Sequence, residues 1–173
     1  VPWFPFKAKA FGTYAVYASV PAHEVRHGID IFHPRYKVIP KVGMNIAPAL
    51  LYRGARTIVR KLARERGAQL MDAHYFYPDG VAAAKLAGEL DLPLAITARG
   101  TDLNLIPRFD IPRLQIEQAA RSANAIITVC DALQQPLLEM GIEAGKITTL
   151  RNGVDLELFR PLDRMAARNR WGA

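Results

Sequence analysis

Polar side chains capable of chemistry recur in this chain at the ends of short apolar runs. Gln69-Leu70-Met71-Asp72-Ala73 leads into His74-Tyr75-Phe76-Tyr77-Pro78-Asp79-Gly80, and Leu94-Ala95-Ile96-Thr97 leads into Ala98-Arg99-Gly100-Thr101-Asp102. Ala125-Ile126-Ile127-Thr128-Val129 ends in Cys130-Asp131, and Ile147-Thr148-Thr149-Leu150 ends in Arg151-Asn152-Gly153. An imidazole, a guanidinium, a carboxylate and an amide can bind and orient a polar substrate once they share one crevice. His74 is the candidate for chemistry, with Arg99 and Asp102 expected beside it. Gly100 lets the backbone turn where a side chain would intrude. Tyr75 and Gly80 flank His74, and Arg151 with Asn152 supplies a third wall, although Asn-Gly by itself favours a turn.

A second constellation competes. His23-Glu24-Val25-Arg26-His27 fits H-E-x-x-H, with His33 placed as a third zinc ligand would be. On a helix the two histidines would share a face, with Glu24 as base for a zinc hydrolase. Three features weigh against it: Asp30 replaces the turn glycine, Pro21 and Gly28 leave barely two turns, and only 22 residues precede the motif. Other familiar signatures are absent. The chain has no G-x-G-x-x-G after a strand, no G-x-x-x-x-G-K-[ST] and no G-x-S-x-G, which disfavours dinucleotide enzymes, P-loop NTPases and α/β-hydrolases. Cys130 precedes a helix start, where a thiol can be activated, but burial in the core is the expectation.

The elements that would position these groups alternate. Ile29-Asp30-Ile31-Phe32-His33 reads as a strand stopped by Pro34, and a long helix is expected from Pro48 to Arg66, capped by Gly67. An alanine-rich helix follows over Gly80–Leu90. Asp110 reads as the N-cap of a helix to Ser122, and Asp131 as the cap of another that buries Leu133, Leu137 and Met140 and stops at Gly141. A last amphipathic helix is expected over Leu162–Trp171, while prolines 2, 5 and 21 break the start. Strands separated by helices, with right-handed crossovers, predict an α/β fold: a three-layer α/β/α Rossmann-like parallel sheet. Ligands of such sheets bind beyond the carboxyl ends of the strands, where the clusters lie.

The 173 residues, half of them hydrophobic, suffice for one core. No apolar run reaches the roughly 20 residues a bilayer-spanning helix needs, and Val1-Pro2-Trp3-Phe4-Pro5-Phe6-Lys7 lacks the layout of a secretion signal. One cysteine excludes an internal disulfide and fits a reducing, cytoplasmic setting. The net charge of +7 suits an anionic partner. Much of it lies on the 53–66 helix, where Arg53, Arg56, Arg60 and Arg64 oppose Leu51, Ala55, Ile58 and Leu62. That face is either simply solvated or a peripheral contact with an anionic membrane. Nucleic acid is not expected, because no aromatics interleave with the basic residues.

The segments Asp72-Ala73-His74…Pro78-Asp79-Gly80, Thr97-Ala98-Arg99-Gly100-Thr101-Asp102, Ala125–Cys130 and Asn152-Gly153-Val154-Asp155…Phe159-Arg160-Pro161 resemble, in order and spacing, the N-terminal half of retaining GT-B glycosyltransferases of family 4. The resemblance implies a two-domain enzyme moving a sugar from a nucleotide-sugar donor to an acceptor with retention, without metal or other cofactor. Residues 1–160 would be the acceptor-binding domain, and 161–173 the start of a linker to a donor-binding domain outside this chain. The domain's first strand and helix, with a glycine-rich loop, would lie upstream, Val1-Pro2-Trp3 being similar to the family's second strand. His74 matches the family histidine beside the transferred sugar, and Gly100 and Asp102 match the H-G-x-D-like turn, with Arg99 where many members carry His and Cys130 where many carry Ser. Such a domain alone is expected to be inactive. A non-catalytic module for a phosphorylated sugar or anionic lipid surface is the alternative, and the zinc hydrolase a weaker one.

Overall fold

The computed structural model describes residues 1–3, 8, 12, 14–39 and 43–172. Pro5, one of the expected breakers, lies outside them. A short helix α1 (Tyr14–Tyr17) leads to an antiparallel hairpin, β1 (His23–Arg26) and β2 (Ile29–Phe32). Helix α2 (Ala47–Glu65) then precedes four strands with intervening helices: β3 (Met71–His74), α3 (Val81–Leu90), β4 (Leu94–Ala98), α4 (Thr101–Asn104), α5 (Asp110–Ser122), β5 (Ala125–Thr128), α6 (Gln134–Glu139) and β6 (Ile147–Thr149). Helix α7 (Arg164–Trp171) comes last.

The four strands form one parallel sheet in the order β3-β4-β5-β6, flanked by helices, as the alternating pattern predicts. Its core holds Phe76, Ile96, Ile116, Ile126 and Leu137, all without exposed surface. The register pairs His74 with Thr97, Ala98 with Thr128, and Thr128 with Thr149, so neighbouring strands end level with one another. The residues that follow each strand therefore meet on one edge. Among the described residues, nothing pairs with the other side of β3.

The expected strand over Ile29–His33 exists, but it is not part of that sheet. Its partner is His23–Arg26, joined through a turn at His27 and Gly28, both with positive φ. This pairing also removes the H-E-x-x-H helix. In a strand successive side chains point to opposite faces, so His23 bonds Asp30 at 2.9 Å while Glu24 bonds His33 at 2.8 Å. The i, i+4 face that a zinc site requires does not form. Val1 and Trp3 bond the backbone of Tyr36 in a short parallel bridge, which agrees with a strand-like start.

Helix α2 ends before Gly67, whose φ of +60° stops it as expected. Its most buried residues are Pro48, Tyr52 and Ala55. Leu51, Ile58 and Leu62 are only partly covered, so the buried stripe is narrower than the spacing suggests. Gly54 has a packing reason: a Cβ there would lie 2.5 Å from the Arg35 carbonyl oxygen, so only glycine lets this backbone approach the helix. In α6 the predicted stripe of Leu133, Leu137 and Met140 is buried, and Gly141 terminates the helix with φ of +74°.

Two caps differ from expectation. Phe109 is the N-cap of α5 and Asp110 is the first helical residue, where its charge still complements the helix dipole. Asp131 opens a 3-10 turn before α6 and bonds Arg151 instead of capping. Cys130 is exposed rather than buried, because it sits in extended backbone beyond the last sheet pair.

Candidate active site

The chain leaves β3 through a sharp bend. Tyr75 has φ of +80°, an unusual value for a residue with a side chain, and such backbone costs on the order of 1 kcal/mol or more. Its N–H still donates to Thr97 O at 2.8 Å, and its carbonyl accepts from Gly80 N at 2.9 Å. The bend drives Phe76 and Tyr77 into the core and leaves His74 on the rim. The Tyr77 hydroxyl donates to the Met44 carbonyl at 2.5 Å, and burial pushes its pKa up to about 12. Gly80 is confined by packing, since a Cβ would approach Ile96 Cγ2 to 3.1 Å.

The bend after β4 is built around Asp102. This carboxylate is fully buried. Oδ1 accepts from Gly100 N at 2.7 Å and Arg99 N at 3.0 Å, and Oδ2 accepts from Phe76 N at 2.8 Å. Backbone donors thus occupy both oxygens, and Asp102 fastens the β4 turn to the β3 turn. Gly100 is explained differently than expected. A Cβ there would meet nothing within 4 Å, but φ is +136°, so glycine is required by the dihedral and not by space.

Fastening those turns brings the remaining polar groups together. Arg99 Nη2 lies 2.6 Å from His74 Nδ1, and Arg99 Nη1 donates to Asn152 Oδ1 at 3.3 Å. A guanidinium has no acceptor, so Nδ1 must accept and the ring proton sits on Nε2. That nitrogen lies 3.1 Å from Asp72 Oδ2. Asp72 is absent from the sequence-based candidates, although the signal was available: residues i and i+2 of a strand share a face. The ends of β3 and β4 and the segment after β6 thus hold one chain of contacts, Asp72–His74–Arg99–Asn152.

Arg151 stands apart. Its hydrogen bond goes to Asp131 at 3.1 Å, and contacts from Thr149 and then Arg151 hold the Asp131 carboxyl below its ordinary range. Asn152-Gly153 forms no tight turn. The turn lies further on, where Phe159 N donates to Asp155 O at 2.8 Å and Asp155 Oδ1 accepts from Glu157 N and Leu158 N. The Asp-x-x-x-Phe spacing is therefore that of a side-chain-stapled turn.

This arrangement sets an imidazole, a guanidinium, a carboxylate and an amide on one rim, where together they can orient a hydroxylated substrate. Sequence comparison then places the molecule: the family model described as Glycosyltransferase Family 4 matches residues 12–158. The chain belongs to Glycosyltransferase Family 4. A Bacillus subtilis (strain 168) protein named "Putative teichuronic acid biosynthesis glycosyltransferase TuaC" is 28% identical over 144 residues, covering 81% of this chain and 36% of the relative. The chain thus spans about a third of the curated relative's length. Among solved structures, a sucrose-phosphate synthase from Thermosynechococcus elongatus superposes with a TM-score of 0.59 at 13% identity, covering 90% of this chain and 40% of that one. The shared fold is that of one GT-B half, in which the family 4 chain's polar edge occupies the carboxyl ends of the strands.

Proposed function

We propose that this chain is the acceptor-side domain of a glycosyltransferase that moves a sugar from a nucleotide-sugar donor to a small-molecule or glycan acceptor, with retention and without a metal. The observation that carries the reading is the hydrogen-bonded His74–Arg99–Asn152 chain on the carboxyl edge of a parallel sheet in a family 4 domain. His74 orients the sugar or stabilises positive character near it, and Arg99 positions the imidazole. Tyr75, Gly80, Gly100 and Asp102 shape that wall. Arg151 borders it.

Residues 1–160 form the domain and 161–173 lead toward a donor-binding domain. The protein acts in the cytoplasm. A first strand upstream has a natural place beside the side of β3 that no strand among the described residues pairs. Two apolar cavities of about 570 and 330 Å³ run along that side, one bordered by Ile29 and Leu62 and the other reaching His74, and Val59 and Met71 line both. The test is sugar transfer by the full-length protein, measured over a panel of nucleotide-sugars with retention read by NMR of the product anomer. Transfer is expected without added metal and with chelator present, and His74→Ala should lower kcat roughly 100-fold. The isolated chain should give no turnover. Turnover by the chain alone, or an unaffected H74A enzyme, would contradict the reading.

A second reading rests on α2. Arg53, Arg56 and Arg64 are exposed and Arg60 is partly so, and Arg56 also pairs with Glu89 at 2.9 Å. No helix among the described residues is long and apolar enough to cross a membrane. We infer that this face rests on an anionic lipid surface, where each basic residue contributes about 1 kcal/mol. Sedimentation with vesicles should show binding that requires anionic lipid and that fails when Arg53, Arg60 and Arg64 become Glu. Equal sedimentation with neutral vesicles would remove the idea.

A further inference from the structure

We propose that Asp72 is a positioning residue for His74, and that together with Arg99 it holds the imidazole in one tautomer and one ring plane. The inference rests on the reading of His74 as the group beside the sugar. The His74 side chain is 52% exposed and that of Asp72 48%, so packing alone cannot fix the ring. Its two nitrogens are instead gripped from opposite sides, Nδ1 by Arg99 at 2.6 Å and Nε2 by Asp72 at 3.1 Å.

Either contact alone selects the Nε2–H tautomer, because guanidinium can only donate and an ionised carboxylate can only accept. Both together also fix rotation about the bond that joins the ring to the strand. Arg99 is itself tied to Asn152, so three segments of the chain set one ring angle. The Nε2–H is thereby committed to Asp72 Oδ2, and the remaining lone pairs of that carboxylate can accept from a substrate hydroxyl on the same rim. Asp72 and His74 belong to the same strand, two residues apart, so the spacing between them survives any movement of the loops.

The test uses full-length protein labelled with 15N-histidine, with the His74 signal assigned by its loss in His74→Gln. Long-range proton–nitrogen spectra read the tautomer. The wild type should show Nε2–H alone, Asp72→Ala and Arg99→Ala should each retain it, and the double variant should show a mixture. In sugar transfer, Asp72→Ala should lower kcat roughly 10-fold with the donor KM little changed, and Asp72→Asn, which keeps an acceptor oxygen, should recover most of the loss. An Nδ1–H tautomer in the wild type, a double variant indistinguishable from it, or wild-type kcat in Asp72→Ala would each overturn the proposal. Undiminished transfer in His74→Ala would instead remove the functional reading while leaving the tautomer pattern in place, so the two failures are separable.

Discussion

At the scale of single residues, the side chain with the largest structural task on the polar edge is a buried one. Asp102, itself buried, gathers the N–H groups of Phe76, Arg99 and Gly100. Removing its carboxylate strands the buried Phe76 N–H and frees the part-buried N–H groups of Arg99 and Gly100, and a buried donor without a partner costs on the order of 1–3 kcal/mol. Asp102→Ala should therefore destabilise the protein by about 1–3 kcal/mol. Asp102→Asn keeps one acceptor oxygen and should lose less. Urea unfolding of the two variants measures the difference, and an Ala variant as stable as the wild type would show that the staple does not matter. The position of this residue was readable from Arg99-Gly100-Thr101-Asp102, but its direction was not. Whether a strand-end acid points at solvent or at backbone donors depends on the turn dihedrals, here the φ of +136° at Gly100, which no side-chain spacing encodes. His74 and Arg99 were readable because their strand ends are adjacent in register, whereas Asp72 needed the strand period to be applied within its own cluster.

At the scale of elements, apolar runs and glycine stops located β3 to β6 and α2, α3, α5 and α6 to within a few residues, since those segments bury one face in the core. The hairpin was the failure. Ile29-Asp30-Ile31-Phe32 alternates as any strand does, and its partner His23-Glu24-Val25-Arg26 carries no apolar stripe to announce it. Polar cross-strand contacts accompany the pairing instead, and they give it a pH dependence. His33 and then Arg26 hold the Glu24 carboxyl below its ordinary value of 4.5, and His23 and then Arg66 hold Asp30 below 3.8. A carboxylate with a depressed pKa contributes stability that is present above its unfolded value and disappears as pH falls through the folded one. The hairpin should therefore loosen as pH falls below about 4.5. Backbone amide shifts of residues 23–33 should change there before those of β4 and β5, and Asp30→Asn should weaken the step. Simultaneous change in hairpin and sheet would mean that these pairs hold nothing locally.

At the scale of the whole molecule, the distribution of apolar surface separates a packed body from an extended end. The body closes around Phe76, Ile96, Ile116 and Ile126, while Leu156, Leu158, Phe159, Leu162 and Met165 stand largely open and Trp171 is 82% exposed. Five aliphatic and aromatic side chains within ten residues, on a stapled turn followed by a capped helix, are more than a solvated tail needs. The helix is real in its own right: Asp163 accepts from Ala166 N at 2.7 Å at its start, and Gly172 closes it with φ of +67°. The exposed Leu156, Leu158, Phe159 and Trp171 side chains offer apolar surface suited to docking. Trp171 reports on this directly. In the isolated chain its fluorescence should be red-shifted and quenched freely by iodide. In the full-length protein, with Trp3 replaced by Phe and any added tryptophans subtracted through a Trp171→Phe control, it should shift to the blue and lose several-fold in quenching. Equal quenching in both would mean that this segment remains solvated when the protein is whole.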